Sequence, residues 1–377
     1  MGKLRNIHVG VLAITIVIFS VGGYALHFYT TKTAYSATVP AAPIITPVAA
    51  TLHIRTPAHV TGIYISGWSA GTASSMRHID TLLAGGKLTA VVIDIKDATG
   101  RLSYMPQDPA LRASRVGTNR IAHLAALIQS LHDKHIYVIG RISVFQDQYY
   151  PTLHPEDALQ DKTGGPWKDP KGLEYLQANN TDIWHYTERI AEDAYAQGFD
   201  EINLDYVRFP SDGRLRDIDV STFAKNKQDT IVDFFTDIDA TLRQQDHIPV
   251  SADIFGLTLS ANDDMGIGQK LELIAPHVDY VCPMIYPSHF WPGSYGFQNP
   301  ANHPYEIIHA ALDHGKDKLR AAGITTSKLR PWLQDFSLGT FYTPTMVQAQ
   351  ITATNDVGLS SWLMWDAGNI YTSSVYK

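Results

Sequence analysis

From residue 61 onward the chain alternates between two spacings of apolar residues. Eight short runs are apolar throughout or alternate with period two: Gly62–Gly67, Ala90–Ile95, Ile136–Val144, Glu201–Val207, Pro249–Phe255, Tyr280–Tyr286, Leu329–Gln334 and Ser361–Trp365. Between them, apolar residues recur every three or four positions. In 119–134 these are Ile121, Leu124, Ala125, Ile128 and Leu131. In 181–197 they are Ile183, Trp184, Ile190 and Ala194, with Thr181 placed to cap the helix. Similar segments span 73–84, 221–245, 266–277, 304–322 and 344–357. Eight strands alternating with helices predict a (β/α)8 barrel over 61–377 rather than an open doubly wound sheet. No GxGxxG or P-loop follows an early strand, which argues against a dinucleotide-binding sheet.

Two irregularities stand out. A long segment rich in Pro, Gly, Asp and Trp, Phe145 to Asn180, follows the third strand. Insertions on this side commonly wall a substrate cleft. Little chain follows the eighth strand, so the closing helix is short or absent, or the chain before strand one covers the gap.

The fourth strand carries the most information. In EINLDYVRFPSDG (201–213), Ile202, Leu204 and Tyr206 alternate with Glu201, Asn203 and Asp205. Apolar residues on one side and acids on the other suit a barrel whose outer face is covered and whose inner face leads to a mouth. Asp205 then stands at the carboxyl end of its strand, where barrel enzymes place their chemistry. Glu201 stands at the opposite, stability end.

Before the barrel, Lys3 and Arg5 precede an apolar run from about Val9 to Tyr29, long enough to span a bilayer. The run reads as an uncleaved transmembrane signal-anchor over 1–29; a cleaved signal peptide ending near Ala34-Tyr35-Ser36 is the alternative. The charge bias puts the amino terminus in the cytoplasm and the barrel outside. Residues 30–60, with Pro40, Pro43 and Pro47, read as a semi-rigid Pro/Ala/Thr-rich linker.

Composition narrows the function. A net charge of -7 without a Lys/Arg-rich run gives no reason to expect nucleic acid. The single cysteine, Cys282, sits in an apolar run and reads as a buried structural thiol. No CxxC or HExxH spacing appears and the 16 His are scattered, so neither a metal site nor a cofactor is expected.

Nearly every strand ends in polar or aromatic residues. These include Asp94, Lys96 and Asp97 on strand two and Arg141 on strand three. Strand four offers Asn203, Asp205 and Arg208, and strand five Asp253. Tyr286 and His289 follow strand six, Trp332 and Asp335 strand seven, and Trp365 and Asp366 strand eight. Carboxylates interleaved with aromatic rings suit glycoside hydrolysis, where one carboxyl protonates the leaving oxygen and another attacks or activates water. Asp205 and Asp253 are the candidates for that pair. Asp94, Arg141, Asn203, Arg208, Tyr286, Trp332, Asp335 and Trp365 are candidate substrate contacts. Asp94 could equally be an interior acid neutralised by Lys96 or Arg141, and Asp205 a structural partner of Arg141 or Arg208. Asp97, before Thr99-Gly100, reads as a turn residue.

Long ordered motifs carry a family likeness: GWSAG (67–71), VVIDIKDATGRLSY (91–104), YVIGRISVFQD (137–147), FDEINLDYVRFPSDG (199–213), SADIFGL (251–257), DDMGIGQKLELIAPHVDYVCPMIYPSHF (263–290), NPANHPYEII (299–308), RPWLQDF (330–336) and WLMWDAGNIY (362–371). Together they resemble the glycoside-hydrolase-type domain of bacterial surface proteins, a family long classed as of unknown function. The resemblance implies a TIM barrel distantly similar to alpha-amylase and alpha-galactosidase enzymes. Alpha-amylase-like enzymes keep a nucleophilic Asp at the end of strand four, matching Asp205. They place an Arg two residues earlier, where this chain has Asn203. Their acid, a Glu after strand five, corresponds to Asp253, and their third Asp, after strand seven, to Asp335. Alpha-galactosidase-like enzymes place the acid after strand six, where this chain offers Tyr286 and His289.

The expectation is therefore a membrane-anchored, outward-facing glycosidase acting on an extracellular or cell-envelope polysaccharide. Its alternatives are a non-catalytic carbohydrate-binding or envelope-organising barrel, and metal-assisted hydrolysis through Asp94, Asp205 and His289. Protein partners are not legible.

Overall fold

A computed structural model describes residues 53–377. The apolar run expected to anchor the chain, and the linker as far as residue 52, lie outside the described residues. Among the described residues no helix is long and apolar enough to cross a membrane.

Eight parallel strands close into a barrel in sequence order: β1 (Thr61–Ile65), β2 (Ala90–Lys96), β3 (Tyr137–Ser143), β4 (Glu201–Asp205), β5 (Val250–Phe255), β6 (Tyr280–Met284), β7 (Trp332–Gln334) and β8 (Trp362–Trp365). Each coincides with a run predicted from the sequence, β1 beginning and β2 ending one residue outside its run. The longer helices are α1 (Ala73–Leu83), α2 (Leu124–His132), α3 (Thr181–Ala196), α4 (Lys227–Ile238), α5 (Pro304–Ala321) and α6 (Pro344–Asp356). The cap of α3 is Asn180, not Thr181: its side-chain oxygen accepts from the Asp182 N–H at 2.9 Å. The helix expected over 266–277 shrinks to one turn, Leu271–Ile274, followed by a 3-10 turn. Gly266 and Gly268 hold positive φ angles of 67° and 87° ahead of it, which end any earlier helical path.

Period two sorts the strand residues into two cores. Outward residues such as Ile63, Val91, Ile93, Val138, Ile202, Leu204, Val250 and Ala252 join the helices in one large cluster. Inward residues such as Tyr64, Val92, Ile139, Cys282, Trp332 and Leu363 fill the lumen. Cys282 is thus a buried lumen thiol, as its apolar context implied. At the floor, Glu201 and Arg330 form a fully buried bidentate pair, with Nη1–Oε1 at 2.9 Å and Nη2–Oε2 at 3.1 Å. Ser251 and Tyr137 donate hydroxyls to the same carboxylate at 2.6 and 3.2 Å. A buried pair survives only when its remaining lone pairs are satisfied in this way. Glu201 is therefore structural, as its position at the start of β4 implied.

Residues 53–60, which the sequence assigned to the linker, run along the barrel. Ile54 N–H bonds the Asp200 carboxylate at 2.8 Å, and the Thr56 hydroxyl meets that of Tyr137 at 3.0 Å. Among the described residues no long helix follows β8. A 3-10 turn, Ser373–Val375, closes the wall there, held by the Lys87 ammonium on the Val375 carbonyl at 3.1 Å.

Candidate active site

The carboxyl ends of β2 to β5 bring three carboxyls together around Arg141. Its Nη1 donates to Asp94 Oδ1 at 2.6 Å, and its Nη2 and Nε donate to Asp205 Oδ2 at 2.5 and 3.0 Å. Asp253 Oδ2 lies 3.9 Å from the same Nε. Pleating explains the gathering: Asp94 pairs in register with Arg141 and Arg141 with Asn203, so all three point inward at nearly one height. Tyr206 then turns into the left-handed region, at φ 56°, and donates its N–H back to Asp205 Oδ1 at 2.6 Å. A non-glycine residue there is uncommon, and such backbone collects where a site is held in place.

Asp205 and Asp253 have different surroundings. Asp205 takes three donated bonds and faces the open cavity. Asp253 is fully buried, and its Oδ1 accepts from Trp332 Nε1 at 2.7 Å and Asn203 Nδ2 at 2.9 Å. Burial, followed by the charge of Asp205, pushes the Asp253 carboxyl well above the usual carboxylate range, against the opposing pull of Arg141, Asn203 and Trp332. Burial works against the charge of Arg141, but Asp205 and Asp94 overrule it and hold the guanidinium protonated. A carboxyl pushed toward its protonated form beside another held by a cation is a pairing that acid–base chemistry can use.

Above this cluster opens a cavity of about 1030 Å³. Of the predicted site residues, Arg141, Asp205, Arg208, Asp253, Tyr286 and Trp365 line it. The other four do not. Asp94 lies under Arg141, between it and the Tyr64 hydroxyl at 2.5 Å, so it neutralises Arg141 rather than meeting a ligand. Lys96, its other suggested partner, pairs with Asp147 instead. Asn203 and Trp332 are fully buried donors to Asp253. Asp335 holds the carboxyl-terminal segment: it accepts from Thr372 N at 2.9 Å, Thr372 Oγ1 at 2.6 Å and the Tyr376 hydroxyl at 2.7 Å. These four move from substrate contact to support. Asp97 is a turn residue, its carboxylate accepting the Thr99 N–H at 3.0 Å. Asp94, Asp205 and His289 do not converge as metal ligands, since the Arg141 guanidinium stands between the two acids.

The walls also depart from expectation. The segment 145–180 contributes nothing to the cavity lining. It supports the loop after β4 from behind. Lys162 N–H bonds the Asp217 carbonyl at 2.8 Å, the Trp167 indole reaches the Arg214 carbonyl at 3.3 Å, and Leu159, Trp167, Tyr175 and Ile218 form their own small core. The walls come from the loops after β4, β5, β6, β7 and β8, with Tyr206, Phe255, Trp291 and Phe336 among residues the sequence did not single out for the site. Trp365 stacks on Tyr64 at 4.0 Å and lies 5.1 Å from the Arg141 guanidinium. The exposed ring of Trp291 was findable as an aromatic among loop residues after a strand; Tyr64 was not, because its role depends on its reach to Asp94.

A hypothetical protein from Ruminiclostridium thermocellum ATCC 27405 is 31% identical, covering 54% of this chain and 98% of its own, with a TM-score of 0.47. The alpha-L-fucosidase isoenzyme 2 from Paenibacillus thiaminolyticus superposes at a TM-score of 0.55 with 14% identity, over 84% of this chain and 48% of that one. The endo-beta-1,4-mannanase from Thermotoga petrophila gives 0.52 with 11% identity, over 81% and 67%. At the latter two identities the likeness is one of fold. No curated protein matches the sequence. The match to the family described as "Putative glycosyl hydrolase domain" runs over residues 62–371, and the chain belongs to that family.

Proposed function

We propose that the chain is a glycosidase that cleaves a polysaccharide with Asp205 as nucleophile and Asp253 as general acid. The observation that carries this reading is the unequal carboxyl pair at one cavity floor. Asp205 Oδ2 and Asp253 Oδ2 lie 3.0 and 3.9 Å from one nitrogen, Arg141 Nε. These two oxygens are therefore at most about 6.9 Å apart, which supports the roughly 5–5.5 Å carboxyl spacing of retaining enzymes over the longer end of the roughly 6.5–9.5 Å range of inverting ones. Asp205 attacks the anomeric carbon while Asp253 gives its proton to the leaving oxygen. Asp253 then takes a proton from the water that releases the sugar. Arg141, fixed by Asp94, holds the orientation of Asp205. Tyr286, Trp365 and Trp291 offer ring faces to the sugars.

The remaining parts of the reading concern place. The apolar run 9–29 and the charges before it support an anchor in the cell membrane with the barrel outside. The substrate is then an extracellular or envelope polysaccharide.

The test is release of reducing ends by the full-length chain from a broad polysaccharide panel, with the first-formed anomer followed by NMR. Release with retained configuration is expected. Inverted product would refute the nucleophile. Binding without release from any polymer would favour a carbohydrate-binding scaffold.

A further inference from the structure

Three arginines are buried among the described residues: Arg141, Arg208 and Arg330. Arg141 is held by Asp94 and Asp205, and Arg330 by Glu201. Arg208 has no carboxylate within ion-pair distance among the described residues. Its guanidinium lies against the rings of Tyr206 and Phe255, 4.9 and 4.6 Å from their centres, on the cavity wall. Only Nη1 is engaged, by the Phe209 carbonyl at 3.2 Å and Ser211 Oγ at 3.4 Å. The Nε and Nη2 donors have no protein partner among the described residues.

A second cation stands on the same wall. Lys227 is half-buried, and its ammonium donates to the Gly266 carbonyl at 2.6 Å with no ion pair of its own. Leaving a buried cation without a counter-charge is costly. The other two buried arginines avoid it. Two aromatic rings pack near the Arg208 guanidinium while its Nε and Nη2 stay free, the pair of donors that receives a flat carboxylate through two parallel bonds.

We propose that the cleft binds an acidic glycan, with Arg208 clamping the carboxylate of a uronic acid residue and Lys227 adding charge beside it. This rests on the reading of the cavity as a glycan site. The substrate is then a polymer containing uronate, and the sugar bearing the acid sits against the wall formed by the β4 and β5 loops.

The experiment uses the full-length chain carrying Asp205→Asn, so that the ligand is not consumed. Calorimetric titration with polygalacturonate, alginate and hyaluronan is set beside the same polymers after chemical reduction of their carboxyls. At least one acidic polymer is expected to bind about 10- to 100-fold more tightly than its reduced twin, the value of a charged bidentate contact. Adding Arg208→Gln should bring that ratio close to one, and Arg208→Lys should leave it intermediate. Circular dichroism checks that each variant is folded. Equal binding of the twins, a carboxylate preference that survives Arg208→Gln, or no binding of any acidic polymer overturns the proposal. The two readings fail separately. Wild-type hydrolysis of neutral polymers without an acid preference removes the uronate subsite and leaves the glycosidase. Acid-selective binding without hydrolysis by wild type does the reverse.

Discussion

Replacing Trp332 with Phe should make Asp253 a weaker acid without dismantling the site. The indole N–H donates to Asp253 Oδ1 at 2.7 Å, and both side chains are buried. A hydrogen bond to a charged group contributes about 1.5–3 kcal/mol and a neutral one about 0.5–1.5, so the lost bond favoured the ionised carboxylate by about 1–1.5 kcal/mol. At 1.36 kcal/mol per unit, Trp332→Phe should raise the Asp253 pKa by about one unit. The direction adds to the upward push from burial and from Asp205. Infrared spectroscopy reads it directly: the carbonyl stretch of a protonated carboxyl, assigned by its loss in Asp253→Asn, should persist to higher pH in Trp332→Phe. If Asp253 is the general acid, activity falls as pH rises through its pKa, so the alkaline limb of the kcat/KM profile should move the same way. The smaller ring leaves a void costing about 1–3 kcal/mol of stability, so the variant is compared below its unfolding midpoint. An unchanged or lower midpoint in a folded variant would refute the reasoning, as would the absence of the band in wild type at neutral pH.

Three further outcomes follow from the same physics. Glu201→Ala strands the Arg330 charge in the floor and should cost about 3–5 kcal/mol in urea denaturation, much of it regained in Glu201→Met/Arg330→Met; a loss below about 1 kcal/mol would contradict the buried pairing. Asp335→Ala removes the acceptor of Thr372 and Tyr376 and should cost about 2–4 kcal/mol while kcat/KM stays within a few-fold, whereas a 100-fold fall in a folded variant would return Asp335 to the site. Glu188 is pushed up to about 7 by burial and by Asp237, so the folded state holds its proton longer than the unfolded state. Stability should therefore fall as pH rises from the ordinary Glu range through about 7. Glu188→Gln should then be more stable than wild type by about 1–3 kcal/mol at pH 8 and nearly equal at pH 4.

The barrel was legible because its signals are local. Strands buried on both faces read as apolar runs, and the helices declared themselves by spacing. The carboxyl-end rule placed Asp205 and Asp253 from strand position alone. What failed depended on contacts between distant segments. Asp335 and Asp205 look alike as strand-end acids, but only the folded chain shows Thr372 and Tyr376 taking up both oxygens of Asp335. The sequence offered Lys96 or Arg141 as the partner of Asp94, and a bulge in β2 between Asp94 and Lys96 sends Lys96 to Asp147 instead. The insertion 145–180 has the composition of a cleft wall, yet it packs behind the β4 loop because Trp167 and Tyr175 find Ile218 there. Arg208 was legible as a site residue but not as an unpaired one, since the absence of a counter-ion shows only in three dimensions.

Reducing-sugar release by wild type, Asp205→Asn and Asp253→Asn, on whichever polymer the wild type degrades, tests whether Asp205 is the nucleophile. Asp205→Asn should fall by at least about 1,000-fold, because no nucleophile remains on the cavity floor. Asp253→Asn should lose less on substrates whose leaving group departs without a proton. Wild-type rates in a folded Asp205→Asn would contradict the assignment of the chemistry to the end of the fourth strand.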